Sequence, residues 1–210
     1  INMRHLNTFI PDSESSCNLD TLSRIRGIFQ RKRPGDGPTW GLTMDLCSGY
    51  HNFRIHESQR ELMGIAIHAA ELPPEAITWL RSDPTSQGCE DPTSGLFYFT
   101  MSALPFGLTP SCAVFSDIIT ALVAAWRRHR ACGSALRISS YIDDVVVVGP
   151  SARAAMVAAV ELVYEMAAAG LTINEKCRLA PSTRFIYLGT LIDTRKGTFS
   201  LPASRALRLT

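Results

Sequence analysis

Asp143 and Asp144 stand side by side between two stretches that read as strands, Leu136–Ser140 and Val145–Val148. A purely structural hairpin favours Asn-Gly or Asp-Gly, which accept the positive φ of a tight turn. Two carboxylates concentrate negative charge there instead, and their repulsion calls for a counter-charge. A divalent cation answers it, because hard oxygen ligands from one or two carboxylates, completed by substrate phosphates, suit Mg²⁺. For the pair alone, an exposed tip with solvated acids is the competing reading. A third acid, Asp45, lies near the end of the predicted strand Gly41–Leu46, where it breaks an apolar pattern between Met44 and Leu46. Three carboxylates brought together would hold two cations about 3.5–4 Å apart, able to activate a hydroxyl and stabilise a leaving pyrophosphate. That is phosphoryl transfer, in which positioning and charge neutralisation do most of the catalysis.

The elements that must position these acids are legible from periodicity. A helix is predicted over Asn18–Gln30, with Leu19, Leu22, Ile25 and Ile28 as its stripe and Asn18 or Asp20 as its cap. Arg31–Pro38 is a loop. After Gly41–Leu46 and a turn at Ser48–Gly49, extended segments are expected at Asn52–Ile55 and Met63–Ile67. Residues 69–95, rich in proline and small polar residues, read as a long surface excursion with one helical turn. Leu96–Met101 alternates as a strand. Ser111–Arg130 is a helix whose apolar positions Val114, Phe115, Ile118, Leu122, Val123 and Trp126 recur at three- and four-residue steps. Ala152–Ala169 is an alanine-rich helix closed by Gly170. Short strands follow at Leu171–Ile173 and Phe185–Ile192, and the last dozen residues show no obvious partner. The sum is an α+β domain of antiparallel strands with helices on one face.

Composition bounds the answer without choosing it. The 210 residues are 46% hydrophobic and 19% charged, with a formal net charge of +2. So small a charge does not argue nucleic-acid binding by itself. Local basic clusters exist at Arg24, Arg26, Arg31, Lys32 and Arg33, and at Arg127, Arg128, His129 and Arg130; each is also what a solvated helix end or loop looks like. Cys17, Cys47, Cys89, Cys112, Cys132 and Cys177 show no zinc spacing and are expected as free thiols in a reducing compartment, cytoplasmic or nuclear. Charges break the apolar runs before about 18 residues, so no membrane span is expected. No signal peptide precedes the first polar segment, and Ile1 in place of an initiator methionine suggests a start within a longer chain.

Six blocks then occur in an order that resembles reverse transcriptases. Asp45-Leu46-Cys47-Ser48-Gly49-Tyr50-His51 is similar to motif A, with an aromatic five positions after the Asp. Leu104-Pro105-Phe106-Gly107-Leu108-Thr109 resembles motif B, and Tyr141-Ile142-Asp143-Asp144 the aromatic-x-Asp-Asp of motif C. Gly170-Leu171-Thr172-Ile173-Asn174-Glu175-Lys176 looks like motif D, Tyr187-Leu188-Gly189 like motif E, and Asn2-Met3-Arg4-His5-Leu6-Asn7 like an Arg-x-Leu-Asn segment of the fingers. Each block is weak alone; the ordered set is specific and covers nearly the whole chain. The wording is closest to retrotransposon enzymes of the DIRS or gypsy groups.

The resemblance implies an RNA-directed DNA polymerase: a right-hand fold with a ferredoxin-like antiparallel palm and partial fingers. It implies partial fingers at 1–40, palm at 41–68, a surface insertion at 69–95, palm again at 96–192, and the start of a connection to the thumb at 193–210. Asp45 and Asp143 would be the main metal ligands with Asp144 beside them, holding two Mg²⁺ (or Mn²⁺). Lys176 would protonate the leaving pyrophosphate. Leu46, Tyr50, Phe106 and Gly107 would surround the nucleotide, Tyr50 as a gate against the 2′-hydroxyl and Gly107 where backbone must approach closely. Tyr187, Leu188 and Gly189 would grip the primer. The partners implied are an RNA template, a DNA primer and dNTPs, within a polyprotein carrying a thumb and a possible ribonuclease H domain, and no membrane. The chain departs from the family in placing proline at Pro110 rather than at the position of Cys112, in the length of 69–95, and in lacking the upstream basic residues that grip the triphosphate. A catalytically inactive remnant that binds nucleic acid or a partner is the alternative; intact Asp45, Asp143, Asp144 and Tyr50 weigh against it. A palm polymerase making RNA is a third, against which Tyr50 counts.

Overall fold

The computed structural model describes residues 3, 7–8, 10–11, 26–27, 29, 37–86, 88–129, 135–175, 177 and 179–206. In chain order the strands are β1 (Trp40–Asp45), β2 (Gly64–His68), β3 (Glu90–Asp91), β4 (Leu96–Thr100), β5 (Arg137–Tyr141), β6 (Asp144–Gly149), β7 (Arg184–Tyr187), β8 (Thr190–Asp193) and β9 (Thr198–Ser200). The helices are α1 (Glu57–Arg60), α2 (Pro74–Ser82), α3 (Thr109–Arg128), α4 (Ala152–Ala168) and α5 (Ala203–Ala206). The fold is α+β, built on three small antiparallel sheets ordered β1-β6-β5, β2-β4-β3 and β7-β8-β9. The chain divides into two compact units, Ile1–Gly49 with Gly107–Thr210, and Tyr50–Phe106.

In the first unit the core is organised around β6. Val145, Val146, Val147 and Val148 are each no more than 1% exposed, so this central strand is covered on both faces, as its unbroken valine run demands. Val146 and Val148 cluster with Phe185, Tyr187 and Ile192 from β7 and β8. Strand alternation turns Val145 and Val147 the other way, toward α4, which packs on β1 and β6. Ala155, Ala158, Ala159, Leu162 and Met166 form the buried stripe of α4; small side chains let the helix approach the sheet closely. Ser151 caps its first turn, accepting from the Ala154 amide at 3.1 Å. Its other end closes in a Schellman motif: Leu171 N–H donates to the Met166 carbonyl and Gly170 N–H to that of Ala167, with Gly170 at φ +82°.

Helix α3 begins two residues earlier than its periodicity predicts, with Pro110 in the first turn where its missing N–H costs nothing. Phe115, Ile119, Val123 and Trp126 are its buried apolar side chains. Val114 instead is exposed and Ile118 only half-buried, because the stripe advances one residue around the helix. By length and apolar composition α3 is able to cross a membrane, contrary to the expectation from the sequence; Phe115, Ile119, Val123 and Trp126 are buried in the core of this unit. The second basic cluster sits largely in its last turn, and Arg127 donates to the Ile138 carbonyl at 3.3 Å.

Three further expectations are corrected. Phe185–Ile192 is not one strand but the β7–β8 hairpin, because Leu188 (φ +47°) and Gly189 (φ +70°) form a two-residue turn with positive φ at both positions. Leu171–Ile173 makes only an isolated bridge, Leu46 to Ile173. Within the last dozen residues, Phe199 and Ser200 do have a partner, since β9 pairs with β8. The predicted helix Asn18–Gln30 and the first basic cluster lie mostly outside the described residues, although Arg26, Gly27 and Phe29 are helical. Cys47, Cys89, Cys112 and Cys177 are free thiols; Cys17 and Cys132 lie outside the described residues.

In the second unit, β4 is the central strand. Phe97 is fully buried, and its neighbour Tyr98 is half exposed on the opposite face. Asn52–Ile55 is not extended throughout: a 3-10 helix covers Gly49–Asn52 and a single bridge joins Arg54 to Ala103. The proline-rich segment is more ordered than one helical turn. Pro73-Pro74 starts the nine-residue α2, Leu80 buries, and Arg81 forms a two-pronged ion pair with Glu90 of β3 at 2.6 and 2.9 Å. Prolines that terminate a helix when met inside it initiate one when met at its first turn.

Gly41 illustrates how tightly β1 meets the β7–β8 sheet. Its backbone exchanges two 2.8 Å hydrogen bonds with Ser182, and a Cβ on it would stand 2.1 Å from Cε1 of Phe185. Gly41→Ala is therefore expected to destabilise the chain by about 1–3 kcal/mol through overpacking. At about 2–4 °C per kcal/mol for a chain of this size, a thermal melt reads it directly. An unchanged Tm would mean that Phe185 is not locked over Gly41.

Candidate active site

Strand register brings the acids together. Asp45, the last residue of β1, lies directly opposite Asp144, the first residue of β6. Tyr141 pairs with Asp144 across β5–β6, so Ile142 and Asp143 are the two residues of a hairpin loop. Ile142 takes φ +53°, a conformation that costs a β-branched residue on the order of 1–2 kcal/mol. The Asp143 carbonyl accepts the Leu46 amide at 3.0 Å, which ties the hairpin to the end of β1. The three carboxylates are thus neighbours, but they do not all point one way. Asp45 and Asp144 line one open cleft of about 450 Å³. Asp143 turns toward the Ser48–Gly49 turn: a Cβ on Gly49 would lie 3.6 Å from its Cβ and 3.8 Å from its Oδ2.

Electrostatics record the crowding. Asp144 holds its proton more tightly than an ordinary carboxyl, first because it is partly buried and then because Asp143 and Asp45 are negative beside it. Among the described residues, no three His, Cys, Asp or Glu side chains close into a finished metal cage. The carboxylates that line this open cleft, Asp45 and Asp144, are hard oxygen donors and fit a Mg²⁺-like ion that takes its remaining ligands from water and substrate phosphate.

The remaining wall of the cleft comes from Thr43, Met44, Asn174, Cys177 and the β7–β8 hairpin, residues Ile186 to Gly189. Tyr187 is buried, and its hydroxyl lies 3.3 Å from the Asp144 carbonyl and 3.4 Å from that of Ser139, so it braces β6 from behind. Ile186, half exposed, faces outward; strand alternation from Tyr187 would have found it. Gly189 leaves room for the Arg205 guanidinium, whose Nη1 lies 2.0 Å from where a Cβ would be. Leu46 is buried at the bridge to Ile173. Lys176 and Arg4 lie outside the described residues.

Gly107 takes φ +84°. Asn7 clasps it: the Asn7 amide donates to the Gly107 carbonyl at 2.8 Å, and its oxygen accepts the Thr109 amide at 2.9 Å. Leu108 at the N-cap of α3 offers no side-chain bond, so the cap is supplied from 102 residues away. No local signal reveals such a cap. Within the second unit, Tyr50 is buried and packs edge-on against Phe106, with ring centroids 4.8 Å apart, while His51 meets the same ring at 5.3 Å.

Two outcomes follow. Asn7→Ala should cost about 1 kcal/mol of stability, the usual worth of a cap, read as a lower Tm. For Asp144, a pKa raised by folding means that the folded chain binds the proton more tightly than the unfolded one. The carboxyl's contribution is most favourable below the unfolded value of about 4 and is lost as pH rises through the folded pKa. In chelator, Asp144→Asn should therefore melt higher than wild type at pH 7, and the gap should close as pH falls toward about 4. A gap that widens on acidification would reverse the assigned direction.

A model of the family described as reverse transcriptase (RNA-dependent DNA polymerase) matches residues 1–192. A search of curated proteins finds no match. The family match runs through β1, β6, both hairpin tips and the capped start of α3. The chain therefore belongs to the reverse transcriptases, RNA-directed DNA polymerases whose members transfer nucleotides from dNTPs to a primer on a nucleic-acid template and generally use divalent metal ions.

Proposed function

We propose that this chain supplies the palm, with part of the fingers, of a retrotransposon reverse transcriptase that works by a two-metal mechanism. The observation that carries this reading is the pairing of Asp45 with Asp144 across β1 and β6, with Asp143 adjoining them in a strained hairpin loop. In this reading Asp45 and Asp143 are the principal ligands and Asp144 the third carboxylate. Two Mg²⁺, when bound, would supply the charge that activates the primer 3′-hydroxyl and stabilises the leaving pyrophosphate. The chain's own residues do the rest. The β7–β8 hairpin at Tyr187–Gly189 holds the primer strand beside the acids. Tyr50, stiffened by Phe106, closes the space a 2′-hydroxyl would need. Leu46 and Gly107 line the nucleotide's surroundings, and Lys176 protonates the leaving group. The same reading assigns fingers to residue 40, palm at 41–68 and 96–192, an insertion between them and a connection from 193, with the thumb elsewhere in a polyprotein.

Primer extension on an RNA template with Mg²⁺ tests it. Wild type should extend with dNTPs and not with NTPs. Asp143→Asn should lower the rate by on the order of 10²–10³-fold or more, the scale of losing a central electrostatic group. Tyr50→Ala should admit NTPs. Folded wild type that binds primer–template and extends with neither substrate would make the chain a non-catalytic binder; extension with NTPs alone would make it an RNA-synthesising palm.

A further inference from the structure

Asp45 ends its strand at the rim of an open cleft, with a like charge as its cross-strand neighbour. Left alone, such a carboxylate would rotate away from Asp144 toward solvent. One short segment prevents this. After the C-cap of α4 the chain runs back along Asp45–Cys47, and Cys47 N–H donates to the Thr172 carbonyl at 2.8 Å while Leu46 bridges Ile173. Asn174 N–H donates to the Asp45 carbonyl at 2.8 Å, and the Asn174 side-chain amide donates to Asp45 Oδ2 at 3.1 Å. Cys177 completes the clasp. Its Sγ accepts the Asp45 amide at 3.1 Å and lies 3.6 Å from the Asp45 carbonyl, while its own N–H bonds the Asn174 carbonyl at 2.9 Å. Main chain and carboxylate of one residue are thus gripped by two residues that share a single turn.

We propose that Asn174 is a positioning residue for Asp45, fixing which carboxylate oxygen faces the cleft; the inference rests on the reading of Asp45 as a metal ligand. The residue type is the argument. An amide NH₂ orients a carboxylate and leaves its full negative charge, whereas Lys or Arg at the same place would neutralise it and compete with an incoming cation. The flipped amide would set its oxygen against Oδ2, so the donor orientation is the one the charge selects. Among the described residues Oδ2 has this hydrogen bond and Oδ1 is left for a ligand. The backbone bond from Asn174 holds the amide itself in place, so little freedom remains to be lost when a cation arrives. Partners that orient a metal-binding side chain in this way typically change metal affinity by about 10–100-fold when removed.

The test is Mn²⁺ binding, followed by the electron paramagnetic resonance of the free ion, on the 210-residue chain without nucleic acid or nucleotide. Wild type, Asn174→Ala, the near-isosteric Asn174→Leu, and Asp45→Asn are compared, each with a metal-free melt. The expected result is about 10–100-fold weaker Mn²⁺ binding in both Asn174 variants, with metal-free Tm close to wild type. Wild-type Mn²⁺ affinity in both, alongside a loss in Asp45→Asn, overturns the role of Asn174 and leaves the ligand reading standing. Equal binding by wild type and Asp45→Asn overturns the reading of Asp45 as a ligand and this inference with it. Collapse of the metal-free melt in both Asn174 variants makes the residue a structural one and overturns the inference as well.

Discussion

The antiparallel pairing of β1 with β6 is the constraint on which the rest of this chain depends, because its register sets Asp45 against Asp144. Like charges directly opposite one another weaken a strand pair; Asp144 holds its proton more tightly first because it is partly buried and then because Asp143 and Asp45 are negative beside it. The pairing persists because the same two strands bury so much elsewhere: Leu42, Met44 and the four valines of β6 are all but inaccessible. Burial along the strands therefore offsets repulsion at their end. A one-residue slip would part Asp45 from Asp144 and carry Asp144 or Gly149 into a position now filled by a buried valine, so the burial of the valines and the juxtaposition of the acids are set together.

What surrounds the acids is arranged to hold rather than to neutralise them. Tyr187 reaches the Asp144 carbonyl from the core side, the Asn174–Cys177 turn grips Asp45, and the Leu46 amide ties β1 to the hairpin loop. The partners named here for Asp45 and Asp144 are a neutral amide, a thiol and a phenol. None of these three neutralises the residue it holds.

Backbone strain gathers in the same place. Among the described residues, the non-glycine positions with positive φ are Ser48, Ile142 and Leu188. Ser48 follows the strand bearing Asp45, Ile142 precedes Asp143, and Leu188 forms the tip of the neighbouring hairpin. Each is a residue type that the conformation disfavours; Ile142 and Leu188 hold it between the paired strands of their hairpins, and Ser48 between β1 and the 3-10 helix at Gly49–Asn52.

Much was legible in the amino-acid order. The valine run, the alanine-rich helix with its terminal glycine, and the Asp-Asp interruption each announced themselves through local periodicity and chemistry, and the ordered blocks pointed to the family that the match over residues 1–192 bears out. The β7–β8 hairpin was hidden because Leu-Gly is a poor advertisement for a turn with two positive φ values, and helix α2 because its prolines read as breakers rather than initiators. The cap that Asn7 lends to α3 and the grip of Asn174 on Asp45 join residues 100 or more positions apart, and the acids themselves meet across nearly as long a separation. Local sequence specifies which groups are available and which elements carry them. Only closure of the chain decides which of those groups meet, since that depends on strand register and packing between distant segments rather than on any neighbour along the chain.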